Sequence, residues 1–412
     1  MADSLGNSFL IIVLPLYIHS GRITGDFVGF SVGEAGAISI GLITGIILSS
    51  FGFLNSFGQP FTGRLSDSLR RRKIFVITGL GILAVTNFLY SVVGSYEVMF
   101  VVRAVQGIGV AFTIPTSIAL VNELATDTTR GSNMGVYNTF RLLGFGAGPL
   151  VAGGIVEAGP YMVAGLTVNG FNAAFYIASV SAMLSIFLVH ILVTDPEELE
   201  EEAGGNLSVS VFYDGDRRTL DPVFTLGVAS LFMAVGIALL AAIETHVNAR
   251  LGQGSFLFGV EFAAFVGAQV LLQAPIGSVS DRIGRKPFIV AGLVLLVPST
   301  LAQGLVTVPA QMIVARFVQG VAGAMVFAPA LALAGDIART GESGTQLSVL
   351  TMSFGLGIAI GPLSSGFLVD YGYVYPFVFG SFLAAVGAVL VYTQVEETLG
   401  RGSETAERKE LA

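Results

Sequence analysis

The sequence contains no cysteine, and its only three histidines, His19, His190 and His246, stand far apart in a chain of 412 residues. Disulfides, thiolate catalysis and sulfur-ligated zinc are thereby excluded, and a site built from several histidines is not expected. Charged residues make up only 12% of the chain, about half of their usual share in soluble domains. Because 53% of the residues are hydrophobic, the composition predicts a polytopic membrane protein.

Other function classes are also disfavoured by what is missing. The formal net charge is −8, so no basic surface is expected for a nucleic-acid partner. The glycines lie inside apolar runs, and no Gly-x4-Gly-Lys-Ser/Thr loop is present, so ATP is not expected to supply energy. No nucleophile–base pattern stands out either. The sequence predicts neither an enzyme nor a bound metal or cofactor.

Continuous apolar runs of helical length replace the alternation typical of a β-barrel. The predicted fold is therefore an all-α polytopic membrane protein with twelve transmembrane helices. We place the spans at about residues 5–18, 38–62, 74–94, 98–122, 132–156, 170–193, 223–245, 254–277, 287–308, 310–334, 345–368 and 373–394. This predicts a first six-helix bundle over 1–193, a solvated acidic linker over 194–222, a second bundle over 223–394 and a tail over 395–412.

The first apolar run is short. It covers only 14 residues, Leu5–Ile18, whereas a spanning helix needs about 20. We expect the sequence to begin inside the first helix, so that this helix starts at the first residues and ends about two turns short of its neighbours.

Positive charge is distributed unevenly between the loops. Fifteen of the 20 Lys and Arg residues lie in the loops and tail on one predicted side, and only Arg22 and Arg250 lie on the other. Because Lys and Arg are retained in the cytoplasm, both termini and the central linker are predicted to be cytoplasmic, in a multi-pass protein of the cell membrane.

Three motifs recur in the two halves of the chain at an offset of 213 or 214 residues. Gly63-x3-Asp67 parallels Gly277-x3-Asp281, Arg103-x2-Gln106-Gly parallels Arg316-x2-Gln319-Gly, and Gly144-x3-Gly148-Pro149 parallels Gly357-x3-Gly361-Pro362. One register for three motifs indicates a duplicated six-helix unit. Such repeats are typical of secondary transporters, whose substrate site lies between the halves.

The motif after the second and eighth spans resembles the loop signature of the major facilitator superfamily, and the resemblance covers about residues 5–394. The second copy is complete, whereas in the first Ser68 replaces an arginine and Arg70 replaces a glycine. Arg70 or Arg71 is then the substitute cation. The resemblance implies a gating latch that joins the halves in the outward-facing state, formed by Gly63, Asp67, Arg70, Arg71, Gly277, Asp281, Arg282, Gly284, Arg285 and Lys286. The alternative is a set of cations that only snorkel at the membrane edge.

Charged residues inside spans are costly and therefore mark functional candidates. For Arg103, with Gln106 on the same helix face, the resemblance implies proton coupling, and a purely structural arginine is the alternative; for Arg316 we favour the structural role. Arg141 and Glu261 are expected to meet between the halves as an ion pair or a proton or substrate site. Glu244 and His246, at the outer end of the seventh span, are expected to be solvated.

The glycine-proline motifs in the fifth and eleventh spans favour close helix contact rather than ligand contact. The candidates are Gly144, Gly148, Pro149, Gly357, Gly361 and Pro362. The fifth-span motif also resembles that of the family's proton-linked antiporters.

The resemblance implies a monomeric transporter in the lipid bilayer that exports small amphipathic molecules by alternating access, with a proton gradient as the energy source. The alternatives are a symporter or facilitator for sugars or organic anions, for which Arg141 is suited, and a transporter-like sensor that does not transport.

Overall fold

A computed structural model describes residues 2–33, 36–69, 71–124, 130–195, 211–213, 216–337 and 343–398. In these residues the chain forms thirteen α-helices: α1 Ala2–His19, α2 Ile40–Leu69, α3 Arg72–Leu89, α4 Tyr96–Glu123, α5 Arg130–Ala158, α6 Gly170–Leu192, α7 Pro222–Ala238, α8 Glu244–Leu251, α9 Ser255–Ile283, α10 Arg285–Leu305, α11 Pro309–Ile337, α12 Ser343–Leu368 and α13 Tyr375–Gln394. Single 3-10 turns follow α3, α7 and α12, at Tyr90–Val92, Leu239–Ala242 and Val369–Tyr371.

Eleven of these helical segments are long and apolar enough to cross a membrane, and α1 supplies a shorter apolar helix over Ser4–His19. The chain is thus a multi-pass membrane protein built almost entirely from helices. The seventh predicted span, 223–245, is divided in the structure: α7 ends at Ala238, a 3-10 turn follows, and α8 is a separate short helix. Helix α1 begins at Ala2.

Two small antiparallel strand pairs interrupt the helical pattern. β1 (Tyr161–Val163) pairs with β2 (Leu166–Val168) between α5 and α6. β3 (Phe212–Tyr213) pairs with β4 (Asp216–Leu220) in the central linker. The prediction of a plain solvated linker over 194–222 is therefore wrong for its described C-terminal part, which is ordered up to the cap of α7. There the Asp221 carboxylate accepts hydrogen bonds from the backbone N–H groups of Val223 and Phe224, at 2.9 and 3.0 Å.

The helices form two halves with matching neighbours. In the first half α2 and α3 pack on α4, while α1 packs on α5 and α6. In the second half the equivalent helices α9 and α10 pack on α11, while α7 packs on α12 and α13. The halves meet where α2 contacts α12 and where α5 contacts α9. The internal repeat of the sequence is thus a repeat of the packing.

The molecule has two faces, and we name them by their turns. The motif face carries the turns at Arg71 and Gly284, between α2 and α3 and between α9 and α10. The distal face carries the segments 20–39, 159–169 and 239–254. Each half has its own apolar core, and a further cluster joins Ile12 of α1 to Leu240, Ile243 and Val247 at the distal face.

Candidate functional site

Contacts between the halves extend from the distal face to the middle of the membrane. Along α2 and α12, a Cβ at Gly41 would lie 2.9 Å from the Gly366 carbonyl oxygen, and one at Gly52 would lie 2.7 Å from the Ala359 Cβ. The Ser49 hydroxyl donates to the Ala359 carbonyl at 2.5 Å. Along α5 and α9, a Cβ at Gly259 would lie 2.7 Å from the Leu150 Cα. Glycine allows this close approach, because any side chain would separate the helices.

The contacts end toward the motif face. A Cβ at Gly135, Gly267 or Gly277 would meet nothing within 4 Å, and one at Gly63 would meet only Pro115 of its own half. Phe57 and Phe61, on the motif-side half of α2, are exposed. The space between the halves is therefore closed at the distal face and opens at the motif face.

The glycine-proline motifs hold helices together within each half. The Ser8 hydroxyl donates to the Gly144 carbonyl at 3.3 Å, and a Cβ at Gly148 would lie 2.8 Å from the Leu5 carbonyl oxygen of α1. In α12, Cβ atoms at Gly357 and Gly361 would lie 2.6 and 2.7 Å from the Cβ atoms of Ala234 and Ala238 in α7. The next residues, Pro149 and Pro362, face the other half, near Gly259 and Gly45. The structure thus places all six motif residues at helix contacts.

At the motif face the second motif copy forms a compact ion cluster inside its own half. Arg285, the first residue of α10, donates from Nε to the Asp281 carboxylate at 3.0 Å. It also contacts the Asp336 carboxylate and donates to the Ala332 carbonyl of α11 at 2.8 Å. The backbone N–H of Lys286 donates to Glu397 at 2.8 Å. Gly284 has a φ of 128°, which favours glycine at this turn. Arg282 is exposed beside them.

The first copy builds the same cluster around Arg72, which the sequence did not single out. Arg72 begins α3 and donates to the Glu123 carboxylate of α4 at 2.6 Å and to the Ser66 hydroxyl at 2.7 Å. The backbone N–H of Lys73 donates to Asp195 at 2.7 Å. Arg72 and Glu123 stand 213 residues before Arg285 and Asp336, so the first copy contains one additional residue in its turn.

This additional residue corrects the predicted substitute cation. Arg71 is the exposed cap before α3 and not the equivalent of Arg285. Arg70 and the Asp67 side chain lie outside the described residues. The signal that would have identified Arg72 was the offset of 213 between Lys73 and Lys286, read in place of the offset of 214 between the aspartates.

In the middle of each half a buried arginine is held by a glutamine one helical turn later. Arg103 donates to the Gln106 side-chain oxygen at 2.6 Å, and Gln106 donates to the Asn87 side chain at 2.7 Å. The Tyr90 hydroxyl donates to the same Gln106 oxygen at 3.0 Å. The Arg103 guanidinium also lies 4.3 Å from the centre of the Phe51 ring. The cation is therefore held by polar and π contacts within its own half.

Arg316 repeats this arrangement in the second half. It bonds to Gln319, which donates to the Thr300 hydroxyl at 3.1 Å, and its guanidinium lies 4.6 Å from the centre of the Phe265 ring. It also reaches the Ile237 carbonyl at 3.5 Å. One feature has no counterpart around Arg103, because the charge of Arg316 acts on the carboxylate of Glu261.

Glu261 lies on α9 and is completely buried. Its Oε1 accepts a hydrogen bond from the Gln253 side chain at 2.8 Å, and its Oε2 accepts none from any described residue. No described carboxylate forms an ion pair with Arg141. The expected pairing of Arg141 with Glu261 is therefore wrong in this conformation.

The heights of the two residues explain the difference. Gly259 lies against Leu150 and Gly146 lies against Val266, so Glu261 is level with the Gly148–Pro149 region of α5. Arg141 stands about two turns further toward the motif face, roughly 12 Å along the helix, and it is half-buried. Its height places it near the open end of the space between the halves.

The expectation that Glu244 is solvated is also wrong. The 3-10 turn at Leu239–Ala242 redirects the chain, so that α8 lies across the distal end against α1. Glu244 is completely buried there, and burial raises the pKa of its carboxyl group well above the ordinary value. His246 is half-buried, and its ring packs edge to face on that of His19.

Comparisons with known proteins agree with this architecture. Multidrug resistance protein 2 of Bacillus subtilis strain 168 is 24% identical over 406 residues, which cover 95% of this chain and 92% of that protein. The multidrug resistance protein MdtG of Dickeya zeae strain Ech586 is 27% identical over 296 residues, which cover 71% of this chain and 69% of that protein.

Solved structures share the fold at low sequence identity. A bacterial homologue of the human lysosomal transporter Spinster, in an inward-facing and occupied conformation, superposes with a TM-score of 0.75 at 12% identity, covering 95% of this chain and 93% of the other. The inward-open xylose transporter XylE of E. coli gives a TM-score of 0.73 at 16% identity, covering 97% and 95%. The family profile of the Major Facilitator Superfamily matches residues 1–222 and 224–411. Together with the duplicated six-helix packing, this match shows that the chain belongs to the major facilitator superfamily.

Proposed function

We propose that this transporter exports small amphipathic molecules in exchange for protons, by alternating access. The observation that carries the proposal is the one-sided contact between the halves, next to a buried carboxylate that lacks a full set of partners. Smooth glycine contacts on α2, α5, α9 and α12 allow such an interface to separate and reform. Glu261 lies beside this interface, where its protonation state would change with the conformation.

The motif face is the cytoplasmic face in this proposal, because it carries the excess of Lys and Arg. The conformation described here is then open to the cytoplasm. In this state Arg72 and Arg285 bind carboxylates of their own halves, as expected for a latch that is released. In the outward-facing state the same charged turns approach the opposite half and hold the cytoplasmic side closed.

Export of amphipathic molecules is supported by the relatives whose names describe multidrug resistance. Arg103 and Arg316 hold their glutamines and aromatic neighbours inside the two halves. Glu261 is the proton carrier, since it is a buried carboxylate beside the contact between the halves. The energy source is the proton gradient, and the transporter works as a monomer without a cofactor.

Reconstituted vesicles test the proposal. The full-length protein is placed in liposomes, a proton gradient of either direction is imposed, and the movement of a fluorescent cationic dye is recorded. We expect dye to accumulate against its gradient only when protons flow in the opposite direction. The Glu261→Gln variant should lose this uphill movement, whereas Glu97→Gln, which changes an exposed carboxylate, should retain it.

Two results would contradict the proposal. Dye that moves together with protons would indicate a symporter. Dye that moves only down its own gradient, in both the native protein and Glu261→Gln, would indicate a facilitator.

A further inference from the structure

Four polar side chains at the distal end connect two buried carboxylates. Glu244 Oε1 on α8 accepts from the Asn248 amide nitrogen at 3.5 Å. Asn248 Oδ1 accepts from the Gln253 amide nitrogen at 3.2 Å, and the same Gln253 nitrogen donates to Glu261 Oε1 at 2.8 Å. The two carboxylates, on different helices, are therefore linked through two amides.

The outer atoms of this chain are acceptors without donors. Glu244 Oε2, Glu261 Oε2 and Gln253 Oε1 are buried and accept no hydrogen bond from any residue that the structure describes. Glu244 and Glu261 are both 0% exposed. A buried carboxylate without a donor is strongly disfavoured in its ionised form and takes up a proton instead. Three unmatched acceptors close to one another therefore require hydrogen atoms that the neighbouring groups do not supply.

The charges around the pair indicate how many protons are needed. Glu244 and Glu261 act on each other electrostatically, and Arg316 on α11 acts on Glu261. Two ionised carboxylates and one guanidinium give a net charge of −1, so a single proton makes the cluster neutral. Because two like charges at one site resist joint ionisation, the first proton is held more tightly than that of an isolated carboxyl group.

The other titratable groups on the surrounding elements have their own partners or orientations. Tyr373 donates to the Gln303 carbonyl at 3.2 Å, beneath the guanidinium of Arg250. Glu157 of α5 accepts from the backbone N–H of Phe256 at 3.0 Å, and His246 stacks on His19. In the described residues none of these groups donates to the three free oxygens.

We propose that Glu244 and Glu261 form one proton-binding site, in which the two carboxyl groups share a single proton while the distal face is closed. The proton bridges to a free acceptor, either the other carboxylate or Gln253 Oε1. Opening of the distal face exposes the pair to the outer solution, from which an exporter of this kind takes up its proton. This role in transport rests on the proposed function, whereas the binding of the proton does not.

The site can be tested on the purified full-length protein with dicyclohexylcarbodiimide, an apolar reagent that modifies protonated carboxyl groups. Modified peptides are quantified by mass spectrometry between about pH 5 and pH 9, a range above the ordinary carboxyl pKa values. We expect modification of Glu244 or Glu261, at no more than one group per molecule, at pH values where the exposed Glu97 does not react.

Variants separate a shared site from two independent ones. In Glu244→Gln the neighbouring negative charge is removed, so Glu261 binds its proton about tenfold more weakly and its modification midpoint falls by about one pH unit. Glu261→Gln gives the reciprocal reading at Glu244, and it serves if the first variant does not fold. Glu97→Gln leaves the midpoint of the pair unchanged.

Several outcomes would overturn the site. These are the absence of modification at both residues at every pH, full modification of both in one molecule, or a midpoint of Glu261 that is the same in Glu244→Gln. Protection by sodium chloride but not by choline chloride at constant pH would show that sodium occupies the position. If the pair reacts as expected while dye movement is independent of the proton gradient, the proton site stands and the proposed export mechanism fails. Proton-driven export without reaction of the pair gives the opposite conclusion.

Discussion

His19 and His246 face each other across the two halves of the transporter. Their ring centroids lie 6.1 Å apart with an interplanar angle of 87°. His19 ends α1, where its Nδ1 lies 2.8 Å from the Pro15 carbonyl oxygen, and His246 belongs to α8 of the other half. Nearby, the Ser39 hydroxyl donates to the Asp370 carboxylate, which also joins the halves. The closed distal face therefore includes two imidazoles in contact.

Acidification should weaken this closure. Burial lowers the pKa of His246, and the charge of Asp370 only partly opposes this effect. A group whose pKa is lowered in the closed state contributes stability above its ordinary pKa of about 6.5. That contribution is lost as the pH falls through this value toward the lowered pKa, because both rings then become cationic.

Spin labels can measure the predicted opening. Because the chain has no cysteine, labels on Val92→Cys and Val308→Cys report only the distance between distal segments of the two halves. We expect a longer-distance population to grow below about pH 6.5, and to grow much less in His246→Asn. His190→Asn, at the opposite end of the molecule, is the control. A distance distribution that does not change with pH would refute the prediction.

A single methyl group at Gly259 should also open the distal face. Its Cβ would lie 2.7 Å from both the Leu150 Cα and the Pro149 carbonyl oxygen of the other half, so α5 and α9 would have to separate. Overpacking of this kind costs about 1–3 kcal/mol. Gly267→Ala, in the same helix, meets nothing within 4 Å and is the matched control. Equal distance distributions in the two variants, measured with the same labels, would count against this interface.

Arg72, and not Arg71, should support the motif face of the first half. Arg72→Gln removes the partner of Glu123 and Ser66, and leaving such groups unsatisfied costs about 1–3 kcal/mol. We therefore expect a lower thermal midpoint and strongly reduced dye transport, whereas Arg71→Gln should behave like the native protein. A larger loss for Arg71→Gln would show that the exposed residue is the functional cation.

Double-mutant cycles should couple Glu261 to Arg316 and not to Arg141. Arg316 acts on Glu261 in the described conformation, so Glu261→Gln and Arg316→Gln together should deviate from additivity by about 0.5–3 kcal/mol in the free energy of unfolding. The cycle of Glu261→Gln with Arg141→Gln should be additive within about 0.5 kcal/mol. A strong coupling in the second cycle alone would restore the pairing expected from the sequence.

The sequence by itself determined the number and order of the spans, the duplication, and the places of the motifs on helices and turns. These properties are local: a run of apolar residues predicts a span wherever it occurs, and a repeated motif needs no coordinates to be recognised. For the same reason Arg103 and Arg316 were identified as buried charges with glutamines on the same helix face.

The tertiary structure decided which charged groups meet. A one-residue difference between the two motif turns moved the cationic role from Arg71 to Arg72, and a 3-10 turn after α7 carried Glu244 from the expected solvated end into the interior. The height of α9 against α5 separated Glu261 from Arg141. Such relationships depend on where one helix lies beside another and how far it has moved along its neighbour, and no local pattern of residues contains that information.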